Sequence, residues 1–424
     1  MITTKHRDPY ATRVVVTGLG AITPIGATVV DFWDSLANGV SGGRRIRNTP
    51  LEDFPVQIGA EIDLPDLTDY FPRRMARRLG RFVIFGHIAA AQAFDDAGFT
   101  RDGVVDESPR FGAIIGTGEG GAGLHFDTFL RIQDRSMESV SPFYVPGVIP
   151  NSPTAWFCKE YGLTGPSYSV NSACASGNHA FGSASMAIRM GLADVMFAGA
   201  TEALMNIPAF AGLGALGALS EGNGDPARAS KPFDRDRDGF VLGEGAGVLC
   251  LEELDHARRR GARIYAELTG FGCSTDAHDM VAPHPQGTGA ATAMQMALDQ
   301  AQLGPGDIDL VSAHATSTTI GDAIESLALE RVFGPEHSRR VCVHSVKSMT
   351  GHSIGASAGI EAVAAIMAID RGIVHPSINI DVQDPEIPLN VVRETREARV
   401  DHVLSNSFGF GGQNAVVALS RLQN

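Results

Sequence analysis

Val170-Asn171-Ser172-Ala173-Cys174-Ala175-Ser176-Gly177-Asn178-His179-Ala180 runs from an extended approach into a helix of very small residues. Ala175, Ser176, Gly177, Ala180, Gly182, Ser183 and Ala184 add little beyond the backbone. A helix this bare lies deep in a protein with other backbones pressed against it. Cys174 stands at its start. Free N–H groups and the helix dipole there favour thiolate, which predicts a lowered pKa. The alternative is an inert buried thiol, and the segment alone leaves the two even. Cys158, Cys250, Cys273 and Cys342 have apolar or ordinary surroundings and fit the inert reading.

Outward from this segment, short apolar runs ending in turns alternate with helical patterns. Strands are expected at Arg13–Gly18, Phe111–Gly116, Val195–Gly199, Arg263–Gly270, Ile308–Ala313 and Arg340–His344. Helices are expected at Phe82–Ala97, Ala175–Met190, Gly289–Gln302, Ala323–Val332 and Ile354–Arg371. Such alternation predicts an α/β fold with both sheet faces covered. The charged stretch Asp255–Arg260 marks the best boundary, giving halves 1–260 and 261–424. Of 424 residues 49 are glycine, against about 7% on average, which implies many tight turns and close backbone approaches.

Composition removes several classes of function. With 34 Lys and Arg against 48 Asp and Glu, the net charge of −14 argues against a general nucleic-acid-binding face. The apolar run Ile360–Ile369 is interrupted by Glu361 and is too short to span a bilayer. Met1–Thr12 has no apolar signal core. Five cysteines without a CxxC pair form neither a disulfide framework nor a metal cluster, so a reducing, cytoplasmic setting is expected.

Glycine motifs offer competing chemistry. Gly116-Thr117-Gly118-Glu119-Gly120-Gly121 matches a dinucleotide fingerprint, but position 141 is Ser where an acidic residue belongs. Gly351-His352-Ser353-Ile354-Gly355 matches the nucleophile elbow of serine hydrolases, with Asp370 and His375 following in hydrolase order. That makes Ser353 a rival nucleophile. A Cys174 acyl-enzyme instead requires basic partners and oxyanion donors. Candidates are His314 in Ser312–Thr318, His352 after Lys347–Gly351, and the glycine loop Ser405–Gly412.

Taken together, these segments resemble the elongating β-ketoacyl-acyl-carrier-protein synthases of the thiolase superfamily. Lys231–Asp234, Asp238–Gly245, Glu252–Ala257, Lys347–His352 and Phe408–Gly412 extend the likeness over nearly the whole chain. The resemblance implies a five-layered αβαβα fold from two similar halves. It implies an acyltransferase that joins a malonyl unit, with loss of CO₂, to an acyl chain held on Cys174. His314 and His352 match the decarboxylation histidines, Lys347 an active-site lysine and Glu325 the charged partner of His314. Cys174 and Phe408 match the oxyanion-hole N–H groups. Thr316 and Thr318 match pantetheine contacts, and Glu119 and Phe410 the acyl-chain path.

No bound cofactor or metal is implied, because substrates arrive on the phosphopantetheine of an acyl carrier protein. Partners implied are that carrier and a second ketosynthase-like subunit, either a copy or a chain-length factor. Five arginines lie in 73–81, and Arg74, Arg77, Arg78 and Arg81 share one face if the segment is helical. Spacing alone fits a solvated helix face, but the resemblance places carrier contacts in this segment, which implies that Arg73, Arg74, Arg77 and Arg78 dock the acidic carrier. Three departures from the family pattern stand out: Ala315 for glycine, Gln413 for threonine, and Glu119 for an apolar residue. A carboxylate at 119 disfavours a long saturated chain unless it is paired or faces solvent, which leans the reading towards polyketide or polyene synthesis over fatty-acid synthesis.

Overall fold

The computed structural model describes residues 5, 7–104 and 107–423; part of the Met1–Thr12 stretch lies outside them. The first half of the chain supplies β1 (Val14–Ile22), β2 (Phe111–Gly116), β3 (Ser167–Tyr168), β4 (Val195–Ala203) and β5 (Glu244–Glu253). The second supplies β6 (Ala266–Thr275), β7 (Leu310–Ser312), β8 (Cys342–His344), β9 (His402–Gly409) and β10 (Gln413–Ser420).

The strands are ordered β8-β7-β9-β10-β6-β1-β5-β4-β2-β3, with Asn390–Val391 added beyond β8. Numbered within its own half, each set runs 3-2-4-5-1. In both, strands 3, 2 and 4 are parallel, while 5 is antiparallel to 4 and to 1. The sets join where β1 pairs antiparallel with β6, Val15 opposite Glu267 and Val16 opposite Ala266. The same topology thus occurs twice.

Helices fill three layers. α1 (Arg81–Asp96) and α2 (Ser152–Tyr161) cover the outside of the first set. α4 (Thr288–Ala301), with α5 (Thr319–His337) against it, covers the outside of the second. Between the sets lie α3 (Ser176–Arg189) and α6 (Ser357–Arg371), each touching strands of both halves. The result is the expected αβαβα layering.

The small residues of α3 have a physical reason. A Cβ on Gly177 would lie 2.8 Å from the Gly359 nitrogen and 2.9 Å from Ala358 Cβ, so the central helices touch backbone to backbone. α6 is apolar on every side because every side is covered: Ser357 to Ile369 are all buried.

Two local readings change. Gly18 does not end a strand, because β1 continues to Ile22. Gly18 and Gly20 sit inside it because Cβ atoms there would come within 2.2 and 1.8 Å of the Ala93 and Ala89 carbonyl oxygens of α1. The arginine segment is not one helix face. Only Arg73–Ala76 is helical, and the chain turns before Gly80 caps α1. Gly80 is extended there and packed on Gly147, so helix periodicity cannot cross it. Arg81 is diverted into an ion pair with buried Glu244. Arg73, Arg74, Arg77 and Arg78 remain exposed and form no ion pair among the described residues.

Candidate active site

The approaches to the two central helices meet. Cys174 precedes α3 by two residues, and His352 precedes α6 by five. Both approaches are bent through left-handed backbone, at Ala173 (φ 49°) and Ile354 (φ 43°). A β-branched residue there is strained by about 1–3 kcal/mol and is held only by its surroundings. Ile354 packs in the same apolar cluster as Cys174.

Cys174 Sγ lies 3.1 Å from His352 Nε2. On the far side of the ring, Nδ1 lies 2.9 Å from Ser357 Oγ, which also accepts the Ser353 N–H at 2.9 Å. Nδ1 is the one acceptor the Ser357 hydroxyl proton has among the described residues. This assigns the ring proton to Nε2, pointing at sulfur. His314, just after β7, sets its ring edge-on to His352 with centroids 5.3 Å apart, and Phe408 lies 5.7 Å from His314. One ligand atom from each of Cys174, His314 and His352 falls within 4.8 Å of the others. The three border a cavity of about 310 Å³ with Thr316, Thr318, Glu325, Phe408, Phe410 and Asn414.

Burial dominates the electrostatics. The Cys174 thiol is pushed up to about 12 by desolvation, which outweighs the lowering effects of Lys347 and of the N–H groups of Phe410 and Cys174 itself. The lowered pKa expected at the helix start is therefore not what the resting site has. α3 proper begins at Ser176, and full burial overrides the dipole. Both histidines are held well below 6.5, first by burial and then by Lys347, so they are neutral donors or acceptors. Lys347 is buried in an ion pair with Glu361. Burial raises the Glu361 carboxyl to about 7 despite that partner.

Two assignments shift by one structural step. Glu325 does not hold the His314 ring. Its carboxylate accepts the main-chain N–H groups of His314 at 2.9 Å and Ala315 at 2.7 Å, plus Asn406 Nδ2 at 3.0 Å. His314 Nδ1 is buried with no partner. The main-chain N–H directed at Sγ from the glycine loop belongs to Phe410, whereas Phe408 lies opposite Asn414 in the β9–β10 ladder. The aromatic-glycine repeat Phe408-Gly409-Phe410-Gly411 offers two equivalent positions in sequence, and only the turn after β9 separates them.

Thr316 and Thr318 share a 3.1 Å hydroxyl contact at the cavity wall, and Thr318 also caps α5. Ala315 costs little, since the left-handed position in this turn is Ser317 (φ 73°). Glu119 does not border this cavity and is exposed on the lone chain, with partial desolvation raising its carboxyl. Gly118 and Glu119 donate their N–H groups to buried Glu202, at 2.6 and 3.3 Å, and Gly120 donates to Thr117 Oγ1. That loop has no free cradle for a pyrophosphate. A second cavity, of about 280 Å³ between Asn48, Arg81, Leu124 and Asn206, contains none of the triad.

The hydrolase alternative fails on geometry. Ser353 Oγ is buried with no partner. His375 stacks on His344 with centroids 3.9 Å apart and turns Nδ1 to the Pro376 carbonyl. Asp370 pairs with Arg263. The five cysteines are all free.

Ser357, Glu361, Glu202 and Asn406 support the site and were not singled out in the sequence. Glu361 did leave a signal, as the sole charge between Ile354 and Ile369. The others look like ordinary polar residues until the fold brings them in.

Comparison with known proteins gives a consistent result. The N-terminal domain model of β-ketoacyl synthase matches residues 11–257, and the C-terminal domain model matches residues 265–381. A 3-oxoacyl-[acyl-carrier-protein] synthase 2 from Synechocystis sp. is 42% identical over 414 residues, covering 97% of this chain and 98% of the relative. The protein of the same name from Vibrio harveyi is 39% identical over 411 residues, covering 97% and 99%. Among solved structures, the ishigamide ketosynthase/chain length factor superposes with a TM-score of 0.90 at 33% identity, covering 99% of this chain and 100% of that one. A type II polyketide ketosynthase in complex with its acyl carrier protein, bound to the hexaketide, gives 0.89 at 32% identity, covering 97% and 100%.

Proposed function

The chain belongs to the β-ketoacyl synthase family, and from that membership we propose how its own residues divide the work. It is a C–C bond-forming acyltransferase that condenses malonyl and acyl thioesters carried on acyl carrier protein. In the proposed division, residues 1–260 supply the nucleophile and 261–424 both histidines.

In the first half-reaction Cys174 Sγ attacks the acyl thioester. The C–S bond to pantetheine breaks, and the thiol proton passes to the departing pantetheine sulfur. The tetrahedral oxyanion is met by the N–H groups of Cys174 and Phe410, each such donor being worth roughly 3–4 kcal/mol. In the second, the malonyl thioester carbonyl lies between His314 and His352. The bond to its carboxylate breaks, CO₂ leaves, and the electron pair forms an enolate whose oxygen accepts from the histidine N–H groups. The enolate carbon then attacks the acyl-Cys174 carbonyl, the C–S bond breaks, and the sulfur takes a proton from solvent to regenerate the thiol. Neutral imidazoles suit this step, since each keeps one N–H to donate and adds no charge to a dry site. Lys347, Glu361, Glu325 and Asn406 hold the histidine-bearing backbone. Thr316 and Thr318 take the pantetheine arm.

The 3.1 Å contact between Cys174 Sγ and His352 Nε2, with His314 beside it at one cavity, supports this reading most strongly. The test is to mix the protein with a short acyl-carrier thioester, digest it and locate the adduct by peptide mass spectrometry, with Cys174→Ala as control. Acyl on the Cys174 peptide is expected; an adduct on the Ser353 peptide overturns the reading.

For partners, the four free arginines fit an acidic carrier. A second subunit, a copy or a chain-length factor, fits the edge at β3. Tyr168 is exposed there, and an unpaired sheet edge asks for cover. Glu119 lies off the Cys174 cavity and is exposed on the single chain, so it favours a polyketide or polyene pathway only if a second subunit completes an acyl pocket around it. No helix among the described residues is long and apolar enough to cross a membrane, and a cytoplasmic setting is proposed.

A further inference from the structure

The same three side chains that bring nucleophile and donors together also have the composition of a metal site. One sulfur and two imidazole nitrogens within 4.8 Å of one another form a Cys-His-His set. A tetrahedral zinc ion with bonds of about 2.3 Å to sulfur and about 2.0–2.1 Å to nitrogen requires its ligand atoms about 3.3–3.6 Å apart. The Cys174–His352 pair, at 3.1 Å, is already that close, and small side-chain rotations close the rest. The open side faces the 310 Å³ cavity, which leaves a fourth position for water and an entry path.

Of the buried charges here Lys347 opposes a cation, but it is engaged by buried Glu361; Glu202 and Glu325 are buried as well. Glu325 borders the cavity itself. Glu202 accepts the Gly355 N–H, three residues past His352. A second observation concerns the histidines. His314 Nδ1 is buried without any partner, so that ring is not locked by a hydrogen bond at that nitrogen and can turn to ligate.

We propose that Cys174, His314 and His352 form a three-ligand site for Zn²⁺ whose occupancy reversibly silences the enzyme. Binding exchanges the thiol proton for a Zn–S bond, the proton leaving to solvent. At His352 the ring proton moves from Nε2 to Nδ1, where Ser357 Oγ switches from donor to acceptor and its own proton is left unpaired, a cost the Zn–N bond has to exceed. Nothing is oxidised or reduced. The metal then blocks the nucleophile and occupies both enolate donors at once, so acylation and decarboxylation stop together.

The experiment uses the intact protein and Co²⁺ as the spectroscopic probe for Zn²⁺. A 1:1 complex is expected, with a near-ultraviolet thiolate-to-cobalt charge-transfer band that Zn²⁺ displaces. Zn²⁺ at the same stoichiometry should abolish acyl transfer to Cys174, and a chelator should restore it. Blocking Cys174 with iodoacetamide in the folded protein should remove the band. His314→Ala should weaken binding at least about 100-fold, since even outer-shell changes at metal sites cost about 10–100-fold. Exposed His278 and half-buried His284, 5.2 Å apart at the ring centroids, are the competing site, so His278→Ala should change nothing. A cobalt spectrum without the thiolate band, or inhibition lost in His278→Ala, overturns the proposal. Acylation of Cys174 in metal-free protein tests the condensation separately, so failure of one reading is not mistaken for failure of the other.

Discussion

Ser357→Ala removes one oxygen and tests the assignment of the His352 proton. In the native site this hydroxyl has two contacts at 2.9 Å, accepting the Ser353 N–H and meeting His352 Nδ1. Both groups are buried. Deleting the hydroxyl leaves each unpaired, at a cost of about 1–3 kcal/mol per group, so a stability loss of about 2–6 kcal/mol is expected. The catalytic effect is separable. Without Ser357 the ring is free to carry its proton on Nδ1 and to rotate away from sulfur. Losing one oriented hydrogen bond worth about 1.4–2.8 kcal/mol to the enolate slows decarboxylation about 10- to 100-fold. The assay is release of CO₂ from malonyl-carrier thioester, measured beside acylation of Cys174 by an acyl-carrier thioester, at a temperature where the variant is fully folded. Decarboxylation should fall more than acylation, and Ser357→Thr, which keeps the hydroxyl, should recover most of it. If the alanine variant loses thermal stability but decarboxylates at the wild-type rate, the hydroxyl is only a structural bond and the proton assignment is refuted.

Gly177→Ala places a methyl against the Gly359 nitrogen and Ala358 Cβ; overpacking of about 1–3 kcal/mol should lower the melting temperature while Phe181, also on α3, keeps the sheet contact. Reversing Arg73, Arg74, Arg77 and Arg78 to glutamate should raise KM for carrier-borne substrates and remove its salt dependence, leaving kcat on small pantetheine thioesters unchanged; unchanged KM would dismiss the docking site. Acid stability follows from His375, whose burial lowers its pKa from 6.5 to about 4. The unfolded chain takes up this proton first as pH falls, so the contribution is complete above pH 6.5 and is lost on the way down to about 4. It amounts to about 3 kcal/mol. His375→Gln should flatten the loss of melting temperature over that window, and an unaltered slope would show that His375 is not buried neutral.

What could be read in the sequence was chemistry attached to local backbone. Cys174 before a bare helix, His314 closing a strand and His352 in a glycine turn each carry a short-range signal. The alternation of strands and helices gives the layers. What could not be read was set by distance in space. The resemblance implies Glu325 as the charged partner of His314; helix α5 instead aims its carboxylate at the main chain. The arginine cluster has helical spacing, but the helix ends at Ala76, and extended Gly80, packed on Gly147, separates it from Arg81. Burial decides between the two readings that the Cys174 segment leaves even, because a helix start is visible in sequence and full burial is not. Choosing Phe410 over Phe408 needed the register of β9 against β10, which fixes where the ladder stops and the turn begins.

The repeated topology explains why these residues meet at all. Cys174 lies between the third and fourth strands of the first set, and His352 between the third and fourth of the second. Each therefore precedes the helix that returns to the fourth strand of its own set. Because those helices, α3 and α6, cross at Gly177 and Gly359, their N-terminal approaches are brought to one point. His314 follows the second strand of its set; the corresponding position in the first set is the Gly116–Gly121 loop, which Glu202 ties to Gly355. A symmetric frame thus delivers two strained turns to one place, and different side chains on the two turns make one a nucleophile and the other its donor. Substituting Gly359 by alanine should accordingly disturb catalysis beyond its effect on stability, since it displaces the crossing that sets the 3.1 Å contact between sulfur and imidazole. Equal loss of acylation and of melting temperature in Gly359→Ala and in a distant core variant of matched stability would show that the crossing has no such role.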